Sequence, residues 1–185
     1  MLTIDIKFKL REIDFEFKAQ IKRGESHTFK VDEESLADKL FWILCGLDTK
    51  YEGKIEGEGV SWGASTWNNV LALGDTSMFI SGTARRNIYK AIRVRADRKT
   101  AKQRTEEVIR LYGLEVLAGL KTKYLSDEEL LRVAIARAHF RKIGLVIVKG
   151  KDFCEIDCST HNEEQRFLLE NCYAKWPDAY ILKVT

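Results

Sequence analysis

The chain has 185 residues and a formal net charge of +3, which results from 31 Lys and Arg side chains against 28 Asp and Glu. Hydrophobic residues make up 45% and charged residues 32%, so the composition excludes a disordered chain. No apolar run approaches the roughly 20 residues that span a membrane, and four unevenly spread cysteines exclude a disulfide framework. We therefore expect one domain over residues 1–185, located in the cytoplasm and peripheral to a complex if it joins one.

The first part of the chain is predicted to form strands and one helix. Apolar residues alternate with polar ones over 2–10 and 13–21, which predicts two amphipathic strands in an antiparallel pair. The elements that follow are a turn over 22–25, a short strand over 27–31, a helix that begins at Asp32, and strands over 54–62 and 70–73.

Helical patterning dominates from Thr83 to Phe140. Ser126 has Glu129 three residues further on, which is the spacing of a capping box at a helix start. The segment from Leu145 to Val148 is apolar at every position, which predicts a strand covered on both faces. The predicted elements of this part are helices near 85–95, 101–111 and 127–140, the strand over 145–148, a helix over 163–176 and a strand that starts at 180.

Several strings of residues stand in a recognisable order and spacing over nearly the whole chain. They are IKRGE at 21–25, CGLD at 45–48 with YEGKI at 51–55, SGTARRNI at 81–88, and LS at 125–126 with RVAIARA at 132–138. Together they resemble the nucleotide-binding domain of ABC ATPases. The resemblance implies an α/β, P-loop NTPase-like fold with an antiparallel β-subdomain, a mixed core sheet and a helical subdomain at about 83–140.

The resemblance also identifies the segment where the family's phosphate-binding loop, the Walker A motif, would lie. That loop falls on Val31 to Leu36, with Ala37 at the lysine and Asp38 at the Ser/Thr position. It contains no glycine, and its three carboxylates would repel a polyanion. Lys39 stands two residues too late, which turns it by about 200° around a helix, so we interpret it as a solvated surface lysine.

The other catalytic motifs of the family differ in the same way. The signature loop is Leu125 to Glu129, with carboxylates instead of glycines. Lys149 and Gly150 stand where the family has an Asp for Mg²⁺ and a Glu as general base. The Q-loop glutamine falls on Asp75, the D-loop on 155–157, and the switch histidine would follow Thr185. We therefore predict a degenerate Walker A motif and a pseudoenzyme with no catalytic, nucleotide-binding or metal residue and no cofactor.

The favoured function is a catalytically silent docking or regulatory subunit of a larger assembly. Its protein partner would be an ABC-type ATPase, a membrane subunit or another complex. In the family the segment after the Q-loop receives the partner, and by resemblance this predicts a partner-binding surface of Met78, Phe79, Ile80, Arg85 and Arg86. The same apolar side chains could instead pack between the subdomains.

Two other functions stay open from the sequence. The chain could be an ABC-type ATPase with an altered site, or one that is active only with a partner. It could also be a nucleic-acid-binding module, because nine basic residues and one acid lie between Arg85 and Arg104. A solvated helical face explains that basic strip equally. Its members are Arg85, Arg86, Lys90, Arg93, Arg95, Arg98, Lys99, Lys102 and Arg104, with Asp97 as the acid.

Overall fold

The computed structural model describes residues 1–58, 69–74, 78–150, 170 and 173–184. They belong to two compact units. The described residues of unit 1 are 1–58, 69–73, 142–150 and 173–184, and those of unit 2 are 74, 78–141 and 170.

Unit 1 contains seven of the described strands and one helix. They are β1 (Leu2–Leu10), β2 (Ile13–Ile21), β3 (Ser26–Phe29), α1 (Glu34–Leu44), β4 (Glu52–Gly57), β5 (Val70–Leu73), β6 (Leu145–Lys149) and β7 (Tyr180–Val184). They form an antiparallel sheet in the order β2-β1-β4 and a parallel sheet in the order β3-β7-β6-β5.

The period of two in the sequence decides which face of β1 is buried. Leu2, Ile4, Ile6 and Phe8 are at most 5% exposed. Ile4 lies opposite Ala19 of β2 on one side and Ile55 of β4 on the other. The antiparallel pair predicted over 2–10 and 13–21 is therefore confirmed.

The parallel sheet explains why its strands are apolar at consecutive positions. Leu145, Val146, Ile147 and Val148 of β6 have no exposed surface. β6 lies between β5 and β7, and α1 packs against both β6 and β7. A central strand of this kind is buried on both faces, which confirms the prediction for 145–148.

Between residues 78 and 141, unit 2 contains three α-helices, α2 (Ala84–Arg93), α3 (Arg98–Leu111) and α4 (Asp127–Ala138), and a short 3₁₀ turn at Thr122–Tyr124. Ala84, Ile88, Val108 and Val133 form the centre of its core and are fully buried. Thr83, Asp97 and Ser126 each cap the start of the helix that follows, with side-chain oxygens that accept backbone N–H bonds.

Several predicted boundaries shift by a few residues. α1 begins at Glu34 instead of Asp32, and α3 begins at Arg98 instead of 101, because Asp97 accepts hydrogen bonds from the N–H groups of Lys99 and Thr100. Of the strand predicted over 54–62, the described part is observed as Glu52–Gly57, while 59–62 lie outside the described residues. Most of the helix predicted over 163–176 lies outside the described residues.

Candidate functional site

The start of α1 corresponds, by the resemblance, to the family's phosphate-binding loop. The N–H groups of Leu36 and Ala37 both donate to the Glu33 carbonyl oxygen, each at 3.0 Å. The Glu33 side chain does not cap the helix; its carboxylate accepts from the Ser35 hydroxyl. Leu36 and Ala37 themselves are buried, with 7% and 6% of their surfaces exposed. Two backbone donors of this turn, those of Leu36 and Ala37, are therefore used inside the helix.

Asp38 and Lys149 meet between α1 and the end of β6. The Lys149 ammonium lies 2.5 Å from Asp38 Oδ1. Asp38 as a residue is partly exposed, but Oδ1 itself is buried and accepts no directional hydrogen bond within the described part of the chain. The same ammonium lies 5.6 Å from the centroid of the Phe41 ring, which gives it a cation–π contact. The charge of Lys149 is thus the partner of a buried carboxylate oxygen.

Lys39 is not the solvated surface lysine that the sequence predicts. Only 14% of its side chain is exposed. Its ammonium pairs with Asp48 at 3.8 Å and lies 5.6 Å from the centroid of the Phe8 ring. The prediction placed Lys39 on the far side of α1 but did not foresee that β1 supplies Phe8 there.

The start of α4 corresponds to the family's signature loop and is a complete capping box. The Ser126 hydroxyl accepts from the Glu129 N–H at 3.2 Å, and the Glu129 carboxylate accepts from the Ser126 N–H at 2.8 Å. Arg132 donates to Glu128 at 3.1 Å, one helical turn away. The capping box predicted from the sequence is confirmed.

Two of the predicted partner-binding residues have contacts inside unit 2. Arg137 donates from Nη1 to the Met78 carbonyl at 2.9 Å, and its guanidinium lies 5.0 Å from the centroid of the Phe79 ring. Phe79 also packs against the core of this unit. Burial lowers the pKa of Arg137 to about 10. Phe79 is therefore a partly buried packing residue of unit 2, and Met78 is partly buried with its carbonyl bonded to Arg137.

Ile80 is the most accessible of the predicted apolar residues, with 42% of its surface exposed. Its backbone is held by Asn87, a buried residue that the sequence analysis did not single out. The Asn87 amide accepts from the Ile80 N–H and donates to the Ile80 carbonyl, both at 2.9 Å, and it also donates to the Thr83 carbonyl. The sequence feature that could have identified Asn87 is an Asn that lies inside a predicted helix, close to the turn before it.

Arg85 and Arg86 differ in their surroundings. Both are exposed at the start of α2, but only for Arg85 do the described residues show an ion pair, which it forms with Glu106. Phe79 and Ile80 line a cavity of about 620 Å³ in unit 2. Its other lining residues are Ser81, Gly82, Lys121, Thr122, Lys123, Leu125, Asp127 and Leu130. The segment 121–123 was missed because no motif marks it.

The basic strip runs along α2 and α3, where several of its members contact their own unit. Arg93 donates to the Ala96 carbonyl at 2.8 Å, and the Arg104 guanidinium lies 4.8 Å from the centroid of the Phe140 ring. With the Arg85–Glu106 pair, these contacts agree with a helical face that is partly used for packing.

Some predicted positions lie outside the described residues: Asp75 of the Q-loop segment and 155–157 of the D-loop segment. Within the described ranges there is no cluster of three or more His, Cys, Asp or Glu residues that could hold a metal ion. In the same ranges no helix combines the length and apolar character that a membrane span requires.

The fold is similar to solved structures of ATP-binding cassettes over nearly all of the chain. MJ0796, a bacterial ABC transporter cassette, gives a TM-score of 0.72 at 18% identity, with 100% of this chain and 88% of that chain covered. Its dimeric post-hydrolysis state with ADP and Pi gives 0.71 at 17% identity, with the same coverage. The chain has the ABC ATPase fold. This confirms the fold class that the sequence strings imply.

Two further comparisons refine this result. The cassette cbiO1 of Clostridium perfringens, part of the ABC transporter complex cbiONQ, gives a TM-score of 0.67 at 16% identity, with 99% of this chain and 77% of that chain covered. The molybdate/tungstate import ATP-binding protein WtpC of Pyrococcus abyssi (strain GE5 / Orsay) is 31% identical over 170 residues, which are 89% of this chain and 46% of WtpC. The chain thus spans about half the length of WtpC. No protein-family model matches the sequence. The chain is an ABC ATPase-like module.

Proposed function

We propose that this ABC ATPase-like chain is a catalytically silent subunit that docks onto, or regulates, a larger assembly. The observation that carries the proposal is the closed first turn of α1. Two backbone N–H groups at the phosphate-loop position, those of Leu36 and Ala37, are already donated to the Glu33 carbonyl. A phosphate group needs such donors to be free and to converge on it.

The charges around this turn oppose an anion as well. Asp32, Glu33 and Glu34 stand at the start of α1, where the family places the phosphates. Two like charges 4 Å apart repel by about 4 kcal/mol at an effective dielectric constant of 20. No lysine follows at position 37 to offset this repulsion, because Ala37 is buried and uncharged.

The residues at the metal position do not fit Mg²⁺. The family's Ser/Thr and Asp positions hold Asp38 and Lys149, and these two are paired with each other. Position 150 is Gly150, which has no side chain that could act as a general base. We therefore assign no hydrolytic step to this chain.

The proposed docking surface lies on unit 2 and consists of the predicted residues Met78, Phe79, Ile80, Arg85 and Arg86. Support comes from two exposed side chains: Ile80 lines the 620 Å³ cavity, and Arg86 lies next to Gly82, which also lines it. An apolar side chain with a cationic neighbour is a common arrangement in interfaces. Because WtpC is an import ATP-binding protein and cbiO1 is part of a transporter complex, the proposed partner is a membrane subunit or another ABC-type ATPase.

The nucleotide part of the proposal is tested by thermal unfolding with millimolar Mg-ATP or Mg-ADP. A ligand present at 100 times its Kd raises the free energy of unfolding by about 2.7 kcal/mol. We expect no rise in Tm, while the MJ0796 cassette, whose structure contains ADP, serves as positive control. A clear rise in Tm of this chain would favour the alternative of an ATP-binding subunit with an altered site.

The docking part needs a variant that leaves unit 2 folded. Phe79 and Arg85 are poor choices because both have internal partners, so we combine Ile80→Asp with Arg86→Glu. Val116→Asp is the matched control, since Val116 is 87% exposed in the same unit and does not line the cavity. The partner is first identified by co-purification from native cells and then titrated in purified form. We expect the double variant Ile80→Asp/Arg86→Glu and the control Val116→Asp to keep the wild-type Tm. Only the double variant should bind the partner at least tenfold more weakly.

A further inference from the structure

The ion pair between Asp38 and Lys149 joins two positions that in the family serve a metal ion. Here one of them carries a carboxylate and the other an ammonium, with 2.5 Å between Nζ and Oδ1. A lysine therefore replaces an acid at the strand end, and an acid replaces a hydroxyl on the helix. The two replacements compensate each other in charge.

We infer that the Lys149 ammonium is a built-in cation that takes the place of a divalent metal ion between α1 and β6. The inference rests on the proposed absence of a nucleotide and Mg²⁺ at this site. It gives the buried Asp38 oxygen a positive partner without any bound ion. It also assigns a specific role to Lys149, which is to bind the Asp38 carboxylate at the position of the metal ion.

The burial of Asp38 Oδ1 and of Lys149 supports this assignment. Although 44% of the Asp38 side chain is exposed, Oδ1 itself is buried, and a buried carboxylate oxygen without a positive partner destabilises the folded state. Lys149 has only 20% of its side chain exposed, and the Phe41 ring lies beneath its ammonium. Within the described residues, the pair with Lys149 is the one ion pair that Asp38 forms, because Lys39 is directed to Asp48 instead.

The experiment replaces the built-in cation with a carboxylate and then supplies a metal ion. In Lys149→Glu two carboxylates face each other, so we expect Tm in EDTA to fall by roughly 4–8 °C. Millimolar MgCl₂ or CaCl₂ should restore at least half of that loss, because two carboxylates and water suit hard divalent cations. The wild type should not respond to either salt. No nucleotide is present, so the result is independent of the Mg-ATP test of the proposed function.

Two matched variants separate this effect from general destabilisation. Asp38→Asn combined with Lys149→Glu leaves one carboxylate, so it should fold with a higher Tm in EDTA than Lys149→Glu and lack the response to Mg²⁺ or Ca²⁺. Lys149→Met removes the charge and should also be unresponsive. Any of three results would overturn the inference. Lys149→Glu could keep the wild-type Tm in EDTA, neither cation could raise its Tm, or the cations could raise the Tm of all variants equally. If Lys149→Glu does not fold, folding of the double variant supports the inference, and failure of both contradicts it.

Discussion

The starts of α1 and α4 lack the glycines that the ABC ATPase family has there, but they compensate for this in different ways. At α4 the carboxylate of Glu129 and the hydroxyl of Ser126 bond each other's backbone N–H groups within one turn. At α1 no side chain caps the helix, Leu36 and Ala37 are part of the core, and Asp38 is neutralised by Lys149 from another part of the chain. The change at α4 is local and lies on the surface, whereas the change at α1 involves the core.

This difference predicts how much free energy of unfolding is lost when a glycine is introduced at each helix start. Leu36→Gly removes a side chain that is 7% exposed and adds a glycine to a helix, so we expect a loss of about 3–5 kcal/mol in the free energy of unfolding. Asp127→Gly at the exposed start of α4 should cost about 1 kcal/mol or less. Urea unfolding of the two variants measures both. Equal losses would contradict the comparison.

The capping box at α4 can be broken by one substitution. Ser126→Ala leaves the Glu129 N–H without its partner, and we expect a loss of about 1 kcal/mol in the free energy of unfolding. Ser126→Asp is the control, because aspartate caps helices as well as serine does. Thermal unfolding should place Ser126→Asp within error of the wild type; a loss as large as that of Ser126→Ala would mean that capping is not the cause.

The missing cap at α1 can be supplied in the same manner. Glu33 has the extended backbone of an N-cap residue, with φ −108° and ψ 120°, but its long side chain makes no cap. Glu33→Asp should place a carboxylate oxygen within reach of the Ser35 N–H, for which the Glu33 side chain provides no cap, and raise the free energy of unfolding by about 0.5–1 kcal/mol. Glu34→Asp, one residue inside the helix, is the control and should give no gain in urea unfolding.

The smallest expected effect concerns the cap of α3 and depends on pH. The Thr100 hydroxyl and the N–H groups of Thr100 and Lys99 donate to Asp97, which lowers the pKa of its carboxyl below the ordinary value of an aspartate. A lowered folded-state pKa contributes stability above the unfolded-state pKa and loses it as pH falls through the folded-state pKa. The Tm difference between the wild type and Asp97→Asn should therefore be constant above about pH 5 and shrink below about pH 4. A difference independent of pH would exclude this charge effect.

The parts of the structure that depend on neighbouring residues could be predicted from the sequence. Three elements follow from patterns that are visible within about ten consecutive residues. They are the strands β1 and β2 from their alternating apolar residues, β6 from its continuous apolar run, and the capping box from the spacing of Ser126 and Glu129. The Asp38–Lys149 pair and the burial of Lys39 could not be predicted, because their partners come from distant segments. The sequence marked Asp38 and Lys149 separately as replacements, but only the fold shows that they neutralise each other.

The position of β7 has a consequence for synthesis of the chain. β7 lies between β3 and β6, so β3 finds its neighbour only when residues 180–184 have left the ribosome. Translation adds 5–20 residues per second, so β7 is completed roughly 8–30 s after β3. α2, α3 and α4 all lie within residues 84–138 and become available earlier. Nascent chains should therefore carry an unfinished parallel sheet for many seconds, during which a chaperone that holds exposed strands would bind unit 1.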